Sequence, residues 1–188
     1  SYPEKLNEVY KADYVIIAPA PFYSSQKLRQ LADWRAQYSG LDVLVASAER
    51  LYHDFGAGRQ LDEMIRIFVQ YIYNYWKAEH MPDGRVGYIL LVGDVESLPT
   101  HISDRMSFDE YIATDNWYVC VSGDDLMPDI MLGRLPAKDL TELTIMVDKI
   151  IQYEQNPLYE DWANNALLTL GTVESLYRDM ENARDEYL

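Results

Sequence analysis

The sequence predicts an α/β protein built on a mostly parallel β-sheet, with helices on both faces and one β-hairpin. Three observations predict it. Apolar runs recur over residues 14–19 (YVIIAP), 41–47 (LDVLVAS) and 86–94 (VGYILLVGD), the pattern of strands covered on both sides. The stretches between them repeat apolar residues every three or four positions, which is a helical spacing. The two kinds of segment alternate along the chain, as βαβ units do.

The elements follow in order. Residues 1–13 read as a lead-in to the strand at 14–19. Ser24 or Ser25 can cap the helix that carries Leu28, Leu31, Ala32 and Tyr38 and stops at Gly40. The strand 41–47 comes next. A helix is predicted over residues 60–80, where Leu61, Met64, Ile65, Phe68, Ile72, Tyr75 and Trp76 share a face, and MPDGR ends it. The third strand covers 86–94, and residues 96–110 are polar and irregular. Residues 111–125 alternate in part and end in Gly-Asp-Asp, so a hairpin with 129–137 is expected. Asp139 or Thr141 can cap the next helix, with Leu140, Leu143, Val147, Ile150 and Ile151 inward. A strand over 164–171 and the start of a further helix complete the chain.

Composition narrows the function. The chain has 188 residues with 48% hydrophobic content, enough for a buried core. Its net charge of −15 argues against a nucleic-acid partner, which needs clustered Lys and Arg. No apolar run is long enough for a membrane span. The lone Cys120 forms no intrachain disulfide. The sixteen tyrosines read as half-buried filler, with a carbohydrate or peptide platform as the alternative.

Four groups of residues could carry chemistry. In an open α/β sheet, ligands sit beyond the carboxyl ends of the strands. Asp94, directly after a buried strand, and Asp115 in ATDNWY are therefore rim candidates, and each could equally cap a turn. Asp124, Asp125 and Asp129 offer hard oxygen ligands at short spacing, a calcium candidate without the EF-hand pattern; Gly-Asp-Asp is also a hairpin tip. His53, His80 and His101 form no zinc-type pair, and no phosphate loop is present. Cys120 lies in the apolar WYVCVS, read as a strand with no histidine nearby in sequence, so it reads as a buried, inert thiol. A flavodoxin-like or response-regulator-like domain is disfavoured, since prolines follow the first strand where a phosphate loop or acidic cluster is needed.

Several stretches together resemble one family. YVIIAP, LADWRAQYSGLDVLVAS, YILLVGDVESLP, ATDNWY, DIMLGRLPA, VDKIIQYEQNP and a following Trp162 stand in the order seen in the gingipain-type cysteine peptidases, peptidase family C25. The resemblance runs over about residues 14–174. It implies a caspase-like (Rossmann-like) three-layer lobe. Residues 1–160 then correspond to the first lobe of a two-lobed catalytic domain, and 161–188 to the start of the second. The family's catalytic histidine sits in a His-Gly segment of the second lobe, with the cysteine tens of residues later, and neither motif occurs here. Cys120 falls in the first lobe instead.

The resemblance therefore implies a secreted or cell-surface bacterial endopeptidase acting on proteins or peptides. This chain would be the part without the dyad, inactive alone and partnered by the remainder of the catalytic domain. Glu174 falls, one residue out of register, near the glutamate that orients the family's histidine; read without the family, it is an acid at a helix N-terminus. Asp179 falls near an acid that selects basic residues in some relatives, in a stretch that aligns loosely. No cofactor is implied, apart from the calcium reading at Asp124 and Asp125. The alternative is a non-catalytic caspase-like domain used for binding or secretion-related assembly.

Overall fold

In chain order the elements are β1 (Tyr14–Ala18), the one-turn α1 (Ala20–Tyr23), α2 (Gln26–Tyr38), β2 (Val43–Ser47), α3 (Ala48–Gly56), α4 (Asp62–Tyr75), β3 (Tyr88–Val92), β4 (His101–Ser103), β5 (Ile112–Thr114), β6 (Met131–Leu135) and α5 (Leu140–Gln155). The computed structural model describes residues 2–57, 61–103, 111–157 and 165. Residues 1–154 form one compact unit. The boundary expected between 160 and 161 lies outside the described residues, as do the helix after residue 171 and all of the strand 164–171 except Asn165.

Four strands form a parallel sheet in the order β2-β1-β3-β6. Ile16 lies beside Val45 and Leu90 in the two ladders that flank β1. Side chains alternate between faces with a period of two. Val15, Ile17, Leu44, Ala46, Ile89 and Leu91 pack with Leu51 of α3 and Ile65, Phe68 and Ile72 of α4. Ile16, Ala18, Val45, Leu90 and Val92 pack with Leu28 and Leu31 of α2 and Leu143, Val147 and Ile151 of α5. β1, β2 and β3 thus bury both faces, which is why their sequences read as continuous apolar runs. The predicted three layers are present.

Local signals set most helix starts. Ser25 Oγ accepts the Leu28 N–H at 3.1 Å and begins α2. Asp139 Oδ1 accepts the N–H groups of Thr141 and Glu142 at 2.8 and 2.9 Å, so Asp139 rather than Thr141 caps α5. α3 was not expected. It follows β2 without a loop, because Ser47 is both the last strand residue and the N-cap, its Oγ accepting the Arg50 N–H at 3.3 Å.

α4 ends at Tyr75, not at 80. Trp76 turns extended and buries its indole, whose Nε1 donates to the Glu8 carbonyl at 2.9 Å. Lys77 then bridges to Lys11 in the lead-in. That lead-in is a strap, with Leu6 fully buried and its N–H held by Asp54 Oδ2 at 2.8 Å.

The hairpin lies elsewhere than expected. β5 pairs antiparallel with β4, and β6 joins β3 in parallel instead of folding back on 111–125. Asp129 explains the difference. Its Oδ2 accepts the N–H groups of Val121 and Ser122, both at 2.8 Å, which a hairpin ladder would have needed. Cys120 consequently lies just after a 3₁₀ turn (Asn116–Tyr118), not in a strand.

On the α2–α5 face, Glu154 accepts from Trp34 Nε1 at 2.5 Å and from Arg35 at 2.6 and 3.1 Å. Burial pushes its carboxyl up, but the Arg35 and Trp34 hydrogen bonds outweigh this and leave it below the ordinary range. Glu154→Gln removes the charge while preserving shape. It should destabilise the fold by about 1–2 kcal/mol at pH 7, read from urea midpoints.

Candidate functional site

Where β3 and β6 end, the chain builds a rim from four segments. The ladder continues one step past the strands: Gly93 N donates to the Leu135 carbonyl at 2.9 Å and Asp94 N to the Ala137 carbonyl at 3.1 Å. Gly93 has φ of +122°, a conformation open to glycine and strained for other residues. The Asp94 carboxylate turns back on its own loop, Oδ1 accepting the Glu96 N–H at 3.0 Å. Its carbonyl takes Ser97 N and Leu98 N at 3.2 and 2.9 Å.

Arg134 of β6 joins these pieces. Its Nε and Nη2 grip the Asp115 carboxylate at 2.7 and 2.8 Å. Nη1 donates to the carbonyls of Gly93 and Leu98, both at 2.9 Å, and Nη2 reaches that of Pro99 at 3.2 Å. Every N–H of the guanidinium therefore has a direction to serve. Burial raises the Asp115 carboxyl, but the Arg134 pair and the Thr100 hydrogen bond outweigh it and hold the group below the usual carboxylate range. The Tyr118 hydroxyl also donates to the Pro99 carbonyl, at 2.7 Å. Burial, followed by the Asp62 and Asp115 charges, pushes that phenol far up, so it stays a neutral donor.

Beside this rim, α4 holds the β4 segment. His101 Nδ1 lies 2.7 Å from Asp62 Oδ2, and the imidazole stacks on Trp117 with ring centroids 3.8 Å apart. Arg66, one turn along α4, lies over Trp117 and donates to the Cys120 carbonyl at 2.7 Å.

The crevice between β1 and β3, where the strand order reverses, is the place an open α/β sheet offers a ligand. Here it is filled. A methyl group placed on Gly93 would meet Ser97 Oγ at 2.4 Å, the Phe22 ring at 3.4 Å and Pro19 at 3.5 Å.

Comparison with known proteins places this architecture. The family profile of Peptidase family C25 matches residues 7–187. This chain belongs to peptidase family C25. It is 26% identical over 155 residues to gingipain R2 of Porphyromonas gingivalis (strain ATCC BAA-308 / W83), covering 81% of this chain and 18% of that protein. It is 28% identical over 142 residues to gingipain R1 of Porphyromonas gingivalis, covering 74% of this chain and 12% of that protein. Among solved structures, dimeric latent PorU from Porphyromonas gingivalis superposes with TM-score 0.62 at 19% identity, over 90% of this chain and 18% of that one. The Arg-specific cysteine proteinase gingipain R superposes with TM-score 0.57 at 24% identity, over 80% of this chain and 29% of that one. The chain thus spans less than a third of each of these relatives, and the fold is the one they share.

Within this C25 chain, Asp94 stands two residues after β3 and Asp115 directly after β5. Asp94 closes a turn and Asp115 anchors Arg134, a residue that sequence reasoning did not single out. A signal was available: Arg134 is the one charged side chain in MLGRL, and its side chain is largely covered, so it must find partners.

Asp124, Asp125 and Asp129 do not converge into a metal cage. Asp124 is exposed, Asp125 Oδ1 accepts the Met127 N–H at 3.0 Å, and Asp129 is held as described. Among the described residues, three metal-type donors meet at Asp13, Asp42 and His80, at the opposite end of the sheet, but the Asp13 oxygens already accept N–H groups there.

Each of the three histidines sets Nδ1 against an aspartate, His53 on Asp54 at 2.9 Å, His80 on Asp13 at 2.7 Å and His101 on Asp62. The buried Cys120 thiol instead bonds Asn116, donating to its carbonyl at 3.3 Å and accepting from its Nδ2 at 3.4 Å. Burial pushes the thiol up, and the Asp129 carboxylate adds to it, the reverse of what a nucleophile needs. Glu174 and Asp179 lie outside the described residues.

Proposed function

We propose that this chain is the first lobe of the catalytic domain of a gingipain-like cysteine endopeptidase, whose catalytic histidine and cysteine belong to the remainder of that domain. The observation that carries the reading is the state of Cys120: a buried thiol with its pKa pushed up, bonded to Asn116, while each histidine is engaged by an aspartate. Family membership supplies the chemistry. In the whole enzyme a cysteine thiolate attacks the carbonyl carbon of a protein or peptide bond. The imidazolium gives its proton to the leaving amine, and water deprotonated by the same imidazole then releases the acyl group. In this reading Glu174 orients that imidazole, Asp94, Asp115 and Arg134 hold the loops of the supporting lobe, and the bacterial protein acts at the cell surface or outside the cell.

The purified chain is expected to release no product from fluorogenic peptides, with or without Cys120→Ala. The chain extended through its downstream coding sequence is expected to hydrolyse them and to lose that activity when the cysteine after the His-Gly segment becomes Ala. Hydrolysis by the short chain that disappears in Cys120→Ala overturns the proposal. An extension in which the His-Gly and cysteine positions carry other residues favours the non-catalytic, binding reading instead.

A further inference from the structure

The amino-terminal end of the sheet carries an arrangement that neither the rim nor peptide hydrolysis explains. Asp13, the residue before β1, has no solvent exposure, an unusual place for a carboxylate. Its Oδ2 accepts the Asp42 N–H at 2.7 Å, before β2, and its Oδ1 accepts the His80 N–H at 3.0 Å. His80 Nδ1 lies 2.7 Å from Oδ2 as well. The backbone of Asp13 completes the knot: its N–H donates to the Asp42 carbonyl at 2.8 Å, and its carbonyl accepts from Gly87 and Tyr88, both at 3.1 Å. One buried residue thereby ties the beginnings of β1, β2 and β3 to the connection that joins α4 to β3.

His80 meets water, with its side chain half exposed, as does Asp42. The charged groups around it are unbalanced. Asp13, Asp42 and Glu79 all act on it, and Glu79 also pairs with Lys11 of the strap at 3.5 Å.

We propose that His80 and Asp13 form a protonation-controlled latch, closed while the imidazole is charged, that fastens the 76–87 connection to the base of the sheet and loosens when His80 loses its proton. With His80 charged, the buried carboxylate has an ion-pair partner and a charge-assisted hydrogen bond; with His80 neutral, an uncharged N–H remains. The Asp13 hydrogen bond first, then the surrounding carboxylates, raise the His80 pKa above its ordinary 6.5. A group with a raised folded pKa stabilises fully below its unfolded value and loses that contribution as pH rises through the folded one. Asp13 is lowered from 3.8: burial pushes it up, and the Asp42 and His80 hydrogen bonds more than reverse this, so its contribution is full above that value and fades only in stronger acid. The latch is therefore tightest between about pH 4 and 6.5 and opens on the alkaline side.

Hydrogen exchange at the His80, Gly87 and Tyr88 amides tests this, with rates corrected for intrinsic pH dependence and global stability measured beside them. Protection in the wild-type chain should fall several-fold between pH 6 and 8.5 while the core amides of β1 hold theirs. In His80→Gln, whose side chain keeps a donor without a titrating charge, the profile should be flat. In Asp42→Asn the loss of protection should move to lower pH, since one carboxylate favouring the charged imidazole is gone. Protection independent of pH in the wild type overturns the latch, as does an unchanged pH slope in His80→Gln.

Discussion

Arg134→Met should lower unfolding stability by about 3–5 kcal/mol at neutral pH, the loss seen when one member of a largely buried pair is removed. Both partners are well covered, with side-chain exposures of 11% for Arg134 and 25% for Asp115. Methionine fills a similar volume, so the loss comes from the groups left behind: the Asp115 carboxylate without its cation, and the Gly93 and Leu98 carbonyls without their Nη1 donor. The Pro99 carbonyl retains the Tyr118 hydroxyl and suffers least. Guanidinium chloride denaturation measures the difference.

The pH dependence identifies the cause. Asp115 has a folded pKa below 3.8, so its contribution is full above that value and is lost as pH falls through the folded one. The gap between wild type and Arg134→Met should thus be widest near neutrality and shrink below about pH 4, where a protonated carboxyl no longer needs a cation. Asp115→Asn in the Arg134→Met background should regain about 1–2 kcal/mol, since it removes the stranded charge. A gap that stays constant with pH, with no recovery in the double variant, would show that lost packing and not the ion pair accounts for the effect.

The same clamp shows why part of this protein was legible in its sequence and part was not. Buried strands announce themselves locally, because a strand covered on both faces has few polar positions; β1, β2 and β3 were found that way. Helices α2 and α5 were found through serine and aspartate caps next to three-and-four spacing. Asp94 was singled out because a carboxylate that follows a buried strand emerges at the sheet edge.

Arg134 was missed because its meaning is non-local. Its partners lie 19 to 41 residues away, and on sequence alone it is one more charged residue in a strand. α3 was missed because Ser47 serves two elements with no loop between them, although Leu51, Tyr52 and Phe55 after it already had helical spacing. The hairpin was misplaced because Gly-Asp-Asp reads as a turn tip, while the outcome was set by Asp129 capping two N–H groups several residues earlier. Sequence pattern recovers what is fixed by burial and nearest neighbours; carboxylate and guanidinium contacts across the fold settle the rest.

Gly93→Ala should cost about 2–4 kcal/mol, from two separable sources. The first is backbone strain, since φ of +122° lies where L-residues are rarely found. The second is steric, because the new methyl would stand 2.4 Å from Ser97 Oγ, closer than any real contact allows. That hydroxyl can move only by giving up its hydrogen bond to the Asp94 carbonyl at 3.1 Å, while Phe22 and Pro19 close the other side. Ser97→Ala in the same background removes the collision and leaves the strain, so it should recover part of the loss but not all. Full recovery would mean that the backbone tolerates the conformation and that the crevice filling alone dictates glycine. No recovery would place the whole cost in φ. Either way the Gly93 carbonyl is one of the acceptors held by Arg134, so Gly93→Ala and Arg134→Met should combine to less than the sum of their separate effects. Additivity within about 0.5 kcal/mol would show that the turn after β3 and the clamp from β6 act independently.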